Sequence, residues 1–178
     1  MKKIGVLGCG LMGSGIAQIS ALNGYETTVV EINDEILKKG MASIDDWLEK
    51  GKKRGKVTEE QFAAAKKNLK TATDVSAFKD CDLVIEAVTE NTELKKKVFK
   101  QLSDATRPDT ILATNTSSIS VTEIATVVKN PERVVGMHFF NPVPIMKLVE
   151  IIKGVATTDN VMSACREFAL AVGKEPIT

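Results

Sequence analysis

Short apolar runs alternate with longer amphipathic stretches along the whole chain. Ile4-Gly5-Val6-Leu7 is the first run, and a glycine-rich turn and a helix starting near Leu11 follow it. Thr27-Thr28-Val29-Val30 is the second. Short apolar runs bounded by turn residues read as buried strands, whereas apolar positions three or four apart read as helix. These rules predict further strands at Leu69–Ala72, Asp82–Glu86, Thr110–Thr114, Arg133–His138 and Met146–Ile152. They predict helices at Glu93–Ser103, Val121–Val127 and Asn160–Val172. Between residues 34 and 68 the pattern is helical only: Ile36, Leu37, Met41, Ile44, Trp47 and Leu48 lie on one face. Gly51 and Gly55 are expected to break that helix, and Thr58-Glu59-Glu60-Gln61 has the pattern of a capping box that starts another. The expectation is a helical hairpin with a basic tip, Lys50 to Lys56, inserted into a single domain covering residues 1–178. With no internal repeat and with strands and helices alternating, the fold class is α/β, a doubly wound and mostly parallel sheet.

The first turn carries the most specific signal. Gly8-Cys9-Gly10-Leu11-Met12-Gly13 follows a strand and opens a helix, and Glu31 ends the next strand. This is the dinucleotide-binding fingerprint of a Rossmann sheet in its proper context. Gly8 permits the tight turn, Gly10 lets the backbone approach a pyrophosphate, and Gly13 lets the helix pack closely on the first strand. The helix start at Leu11 and Met12 offers N–H groups and a partial positive charge to the phosphates. Glu31 is placed to accept hydrogen bonds from the adenosine ribose. The same carboxylate repels a 2′-phosphate, and Ile32-Asn33-Asp34-Glu35 supplies no arginine, so NAD is favoured over NADP.

Composition narrows the setting. A net charge of +1 and a pI near 7.6 argue against electrostatic binding to nucleic acid or to an anionic membrane. No apolar stretch has transmembrane length, and the N-terminus reads as a strand rather than a signal peptide. Cys9, Cys81 and Cys165 have no metal-ligand spacing and fit a reduced, cytoplasmic protein, with a reactive Cys9 as the alternative.

Two regions hold candidate chemistry. His138, the only histidine, ends a strand, and Glu150 sits within Leu148-Val149-Glu150-Ile151-Ile152. A carboxylate between apolar β-formers needs a partner, and the intervening Phe139–Ile145 is long enough to turn the chain back. The two strands can then pair and bring Glu150 to His138, which fixes the imidazole tautomer and makes the ring a better base. The alternative is a surface histidine and an edge-strand glutamate facing solvent. Asn115-Thr116-Ser117-Ser118 follows a strand, where loops of open α/β sheets line the ligand crevice. Ser117 therefore reads either as a hydrogen-bond donor to a substrate oxygen or as a helix N-cap. Glu86-Ala87-Val88-Thr89-Glu90-Asn91, with Lys95 after it, reads either as a strand end whose two acids touch cofactor or a neighbouring basic group, or as a solvated loop with Lys95 on an exposed helix face. The basic run Lys50–Lys56 is either a solvated tip or a phosphate contact, with Ser43 on the same helical face as Lys50.

Together these residues resemble the short-chain L-3-hydroxyacyl-CoA dehydrogenase family over essentially the whole chain. The resemblance rests on Gly8–Gly15, Glu86–Asn91, Asn115–Ser118 and the block Gly136–Glu150. It implies NAD-dependent interconversion of a short 3-hydroxyacyl-CoA, such as 3-hydroxybutyryl-CoA, with the 3-oxoacyl-CoA. It implies His138 as base, Glu150 as the group that orients it, and Ser117 on the reacting oxygen. It further implies Glu90, Lys95 and Asn141 as NAD contacts, and Ser43 and Lys50 near the CoA moiety. Family members continue past Gly173–Pro176 into a helical domain and form homo-oligomers. This chain ends at Thr178, so it is expected to act as an isolated NAD-binding domain, with weak turnover and with the face those helices cover exposed. The alternative implied is a non-catalytic NAD-binding or structural module of the same family.

Overall fold

The computed structural model describes Met1–Thr178 and arranges the chain around one eight-stranded sheet. In chain order the elements are β1 (Lys3–Leu7), α1 (Leu11–Leu22), β2 (Glu26–Val30), α2 (Asp34–Lys53), α3 (Glu59–Asn68), β3 (Leu69–Ala72), β4 (Leu83–Glu86), α4 (Thr92–Ala105), β5 (Ile111–Thr114), α5 (Val121–Ala125), β6 (Val134–Phe139), β7 (Leu148–Lys153), α6 (Asp159–Ala171) and β8 (Glu175–Ile177). The strand order is β3-β2-β1-β4-β5-β6-β7-β8. Every neighbouring pair is parallel except β6 and β7. The order reverses between β1 and β4, which makes their carboxyl ends the switch point where ligands settle in such sheets.

Alternate side chains of each strand feed two cores. Ile4, Val6, Val29, Ile85, Ala113, Met137 and Ile151 point to the face covered by α1 and α6, where Ile16, Ala17 and Phe168 meet them. Val84, Leu112 and Val134 point to the other face, against Phe99 and Leu102 of α4 and Ile124 of α5. The same alternation carries Glu86, Thr114, His138 and Glu150 to this second face, at or near the end of the sheet where the parallel strands finish.

The inserted hairpin forms as its pattern predicts, with one correction. Gly51 does not end α2; the helix runs on to Lys53, and the reversal comes at Gly55, whose φ of +69° suits glycine. Thr58 and Gln61 form the reciprocal capping box at the start of α3. On α2, Ile44 and Leu48 are buried, but Ile36 and Trp47 remain 42% and 38% exposed. At the C-terminus Glu175–Ile177 pairs with β7 as an eighth strand that the sequence pattern did not announce, because Pro176 interrupts a three-residue segment too short to show periodicity. Leu11, Ile145 and Val155 are well exposed.

Candidate active site

The glycine turn between β1 and α1 is built as the sequence implies. Gly8 has a φ of +98°. A Cβ at Gly13 would lie 2.0 Å from the Gly8 carbonyl oxygen, so only glycine lets α1 start this close to the turn. A Cβ at Gly10 would meet nothing within 4 Å. Gly10 also caps α1 without a side chain to accept its first N–H groups, which leaves that helix start open to an anion. Glu31, directly after β2, accepts the Cys9 amide at 3.1 Å on Oε2 and the Asn33 amide at 3.1 Å on Oε1. The reactive-cysteine alternative fails: Cys9 is buried, and burial together with the charge of Glu31 pushes its thiol up to about 11.

Two clefts flank this turn and share Ala87 and Val88. One, of about 430 Å³, is lined by Gly8, Gly10, Val30, Glu31 and Ile32 with apolar residues of α4. The other, of about 310 Å³, is lined by Met12, Glu90, Asn115, Ser117, His138 and Asn141. A mainly apolar cleft with one carboxylate, an open helix start, and a second polar cleft beyond it suit the two halves of a dinucleotide. The residues present therefore fit NAD.

His138 and Glu150 face each other across β6 and β7 as a register pair, with Nδ1 and Oε2 2.6 Å apart. The turn between the strands is pinned by Lys174, whose buried ammonium donates to the carbonyls of Val143 and Met146 (2.7 Å to Met146). The His138 ring also leans on Phe140, with centroids 4.6 Å apart. The two side chains therefore pair, and β7 is not an edge strand because β8 lies beyond it, while the Glu150 side chain stays 39% exposed.

Ser117 lies in the same cleft, exposed, with its amide donating to Glu90 Oε1 at 3.1 Å. It caps no helix; Ser120 does that for α5. Asn115 accepts the Phe139 amide at 2.8 Å, which ties the Ser117 loop to the strand bearing His138. Sequence reasoning did not single out Asn115, Phe140 or Lys174. Each sits next to a residue it did single out, or across the turn from one.

The solvated-loop reading of Glu86–Asn91 holds for Thr89, Glu90 and Asn91, which are exposed, and fails for Glu86 and for Lys95. Glu86 is wholly buried and Lys95 is 1% exposed; they pair at 2.5 Å. The remaining contacts of Lys95 are the Val88 carbonyl at 3.3 Å and Glu90 Oε2 at 3.5 Å. Lys95 thus donates hydrogen bonds to Glu86 and to the Val88 carbonyl and is ion-paired with Glu90, and from its buried position it bears on the cleft through Glu90. Burial opposes ionisation of Glu90. The Thr116 hydroxyl, the charge of Lys95, the Ser117 amide and the Ser118 hydroxyl outweigh it and hold the carboxyl below its usual range.

Ser43 and Lys50 are both exposed on α2, and Lys50 pairs with Asp46 at 2.6 Å. Neither lines the two clefts described above. Lys52 of the basic tip lies over the Phe62 ring at 4.2 Å, a structural use. No group of three or more His, Cys, Asp or Glu is arranged to hold a metal, and no helix is long and apolar enough to cross a membrane.

Residues 3–178 match the family model described as the 3-hydroxyacyl-CoA dehydrogenase NAD binding domain. The chain is 44% identical over 177 residues to 3-hydroxyadipyl-CoA dehydrogenase of Escherichia coli K12, covering 99% of this chain and 37% of that protein. It is 42% identical over 175 residues to 3-hydroxybutyryl-CoA dehydrogenase of Bradyrhizobium diazoefficiens, covering 98% of this chain and 60% of the relative. The crystal structure of (S)-3-hydroxybutyryl-CoA dehydrogenase from Ralstonia eutropha superposes with a TM-score of 0.97 at 42% identity, covering all of this chain and 63% of that one. The chain thus spans between about a third and two thirds of the length of these relatives.

Proposed function

The chain belongs to the 3-hydroxyacyl-CoA dehydrogenase family and comprises its NAD-binding domain, and from that premise we propose that it serves the interconversion of a short-chain 3-hydroxyacyl-CoA with the corresponding 3-oxoacyl-CoA. The observation that carries the reading is the His138–Glu150 pair at 2.6 Å, with His138 lining one cleft together with Ser117 and adjoining the glycine turn. NAD supplies the hydride acceptor or donor when bound. Gly8, Gly10, Leu11, Met12 and Gly13 hold its phosphates, Glu31 its adenosine ribose, and Glu90 and Asn141 its other half.

The protein's own groups handle the proton. Glu150 accepts the Nδ1 proton of His138, which leaves Nε2 with a lone pair towards the cleft. In the oxidative direction Nε2 takes the proton of the substrate hydroxyl, and Glu150 offsets the positive charge the ring then carries. In the reductive direction the same proton returns to the carbonyl oxygen. Ser117 donates to that oxygen as negative charge builds on it. Ser43 and Lys50, along the exposed face of α2, meet the CoA portion of the substrate. An acetoacetyl/3-hydroxybutyryl pair is the substrate size suggested by the names of the relatives. The three buried, unpaired cysteines suit a cytoplasmic setting, and association of copies is proposed from the family resemblance.

The test is turnover of acetoacetyl-CoA with NADH, combined with His138→Ala. Loss of the general base should lower turnover by about 10²–10⁴-fold, while NADH affinity measured by calorimetry stays within twofold of the parent. Parallel loss of both would remove His138 from the role of base. NADH binding with no turnover by the parent chain would favour a non-catalytic module.

A further inference from the structure

A buried ion pair lies beneath the cleft and takes no part in the proton transfer. Glu86 closes β4 with its side chain fully buried. Its Oε1 accepts Lys95 Nζ at 2.5 Å and the Val88 amide at 2.7 Å, and its Oε2 accepts the Thr114 hydroxyl at 2.8 Å. Lys95 reaches from α4 to Oε2 of Glu90 at 3.5 Å. The other oxygen of Glu90 is given to the loop after β5: it accepts the Thr116 hydroxyl, the Ser117 amide at 3.1 Å and the Ser118 hydroxyl at 3.3 Å. Contacts thus run without a break from a strand end, through a helix, to the loop that carries Ser117.

Core stability does not account for this arrangement. Desolvating two charges costs several kcal/mol per ion, and an apolar pair of similar volume fills the same space as well or better. The division of labour on Glu90 points elsewhere. Its side chain is 40% exposed, so without Lys95 on one oxygen it is free to swing into solvent and release the loop held by the other. The loop is fastened on its far side as well, by the Asn115 amide to the Glu86 carbonyl at 2.8 Å and by the Asn115 side chain to Phe139. Ser117 is thereby set at a fixed height relative to His138.

We propose that Glu86, Lys95 and Glu90 are positioning residues for Ser117: the buried pair fixes the Glu90 carboxylate, and that carboxylate fixes the loop. This rests on Ser117 binding the reacting oxygen, as proposed above.

The test replaces both buried charges at once with neutral side chains of similar shape, Glu86→Gln with Lys95→Met, in the whole chain. Thermal melting should stay close to the parent, because no uncompensated charge is left behind. Hydrogen exchange at the Ser117 amide should be about tenfold faster, since its acceptor is no longer held in place. In the turnover assay kcat should fall about tenfold while KM changes less than twofold, the pattern of an interaction made in the transition state. Lys95→Arg, which keeps the charge, should retain more of the slow exchange than Lys95→Met. A folded double variant with parental exchange at Ser117 and parental kcat overturns the proposal. Should the double variant fail to fold, Glu90→Gln at the partly exposed end decides it by the same exchange measurement, faster exchange supporting and unchanged exchange overturning it. Full turnover by Ser117→Ala would instead defeat the role of Ser117 itself, whatever the exchange rates show.

Discussion

At the residue scale, Glu31 is the side chain we propose to set cofactor choice. Both of its oxygens already accept backbone amides, from Cys9 and from Asn33, and these hold the carboxylate at the rim of the larger cleft. Acceptors fixed in this way suit a pair of ribose hydroxyls and repel a phosphate. Glu31→Ala should weaken NADH binding about tenfold, the scale of one hydrogen bond to a charged group, and leave NADPH binding unchanged or improved. Calorimetric titration with both nucleotides measures the ratio, and equal losses for the two would remove Glu31 from the ribose. Residues of this kind were legible in the sequence because their chemistry and their neighbours agree: an acid after an apolar run, or a single histidine at a strand end. Lys95 was not. Its partner lies nine positions earlier, and only the parity of β4 and the rotation of α4 decide that both side chains point inward.

At the element scale, local pattern and tertiary packing divide the work. The start of α3 is local: the Thr58 hydroxyl accepts the Gln61 amide at 3.1 Å, and the Gln61 side chain accepts the Thr58 amide at 3.0 Å. Thr58→Ala should therefore cost about 1 kcal/mol in urea unfolding, the usual worth of such a cap, with NADH affinity unaltered; no change in stability would show that the hairpin tip is held by packing instead. The end of α2 is not local in the same way. Gly51 looks like a breaker, yet it lies within the helix, and glycine is needed there because Val57 packs where its Cβ would be, with Cγ2 2.7 Å from that position. The pairing of β6 with β7 could be argued from a carboxylate set between apolar residues and a long enough turn. The clamp that holds the turn could not, since Lys174 reaches it from just before β8, a strand too short to announce itself.

At the scale of the whole molecule, two carboxylates fasten the central strands at opposite ends of the sheet. Asp82, just ahead of β4, accepts the Lys2 and Lys3 amides at 2.6 and 3.1 Å and the Arg107 guanidinium at 3.0 Å. Glu90, beyond the far end of β4, holds the loop after β5. Burial opposes ionisation of Asp82, but the two amides, Arg107 and the N-terminal ammonium outweigh it, so its carboxyl too is held below its ordinary range. A group whose value is lower folded than unfolded binds its proton first in the unfolded chain. Its contribution is complete above the unfolded value and is lost as pH falls through the folded one. Stability from these two groups is thus fully present at neutral pH, begins to decline near the ordinary values of 4.5 for Glu90 and 3.8 for Asp82, and is gone once pH lies below their folded values. Urea midpoints measured from pH 7 to pH 2 should fall through that acid window. Asp82→Asn should lower the midpoint at neutral pH and flatten the acid decline, because the variant has no proton left to take up there. A parental acid slope in that variant would show that Asp82 does not fasten the strand, and the paired anchoring of the sheet would lose its lower end.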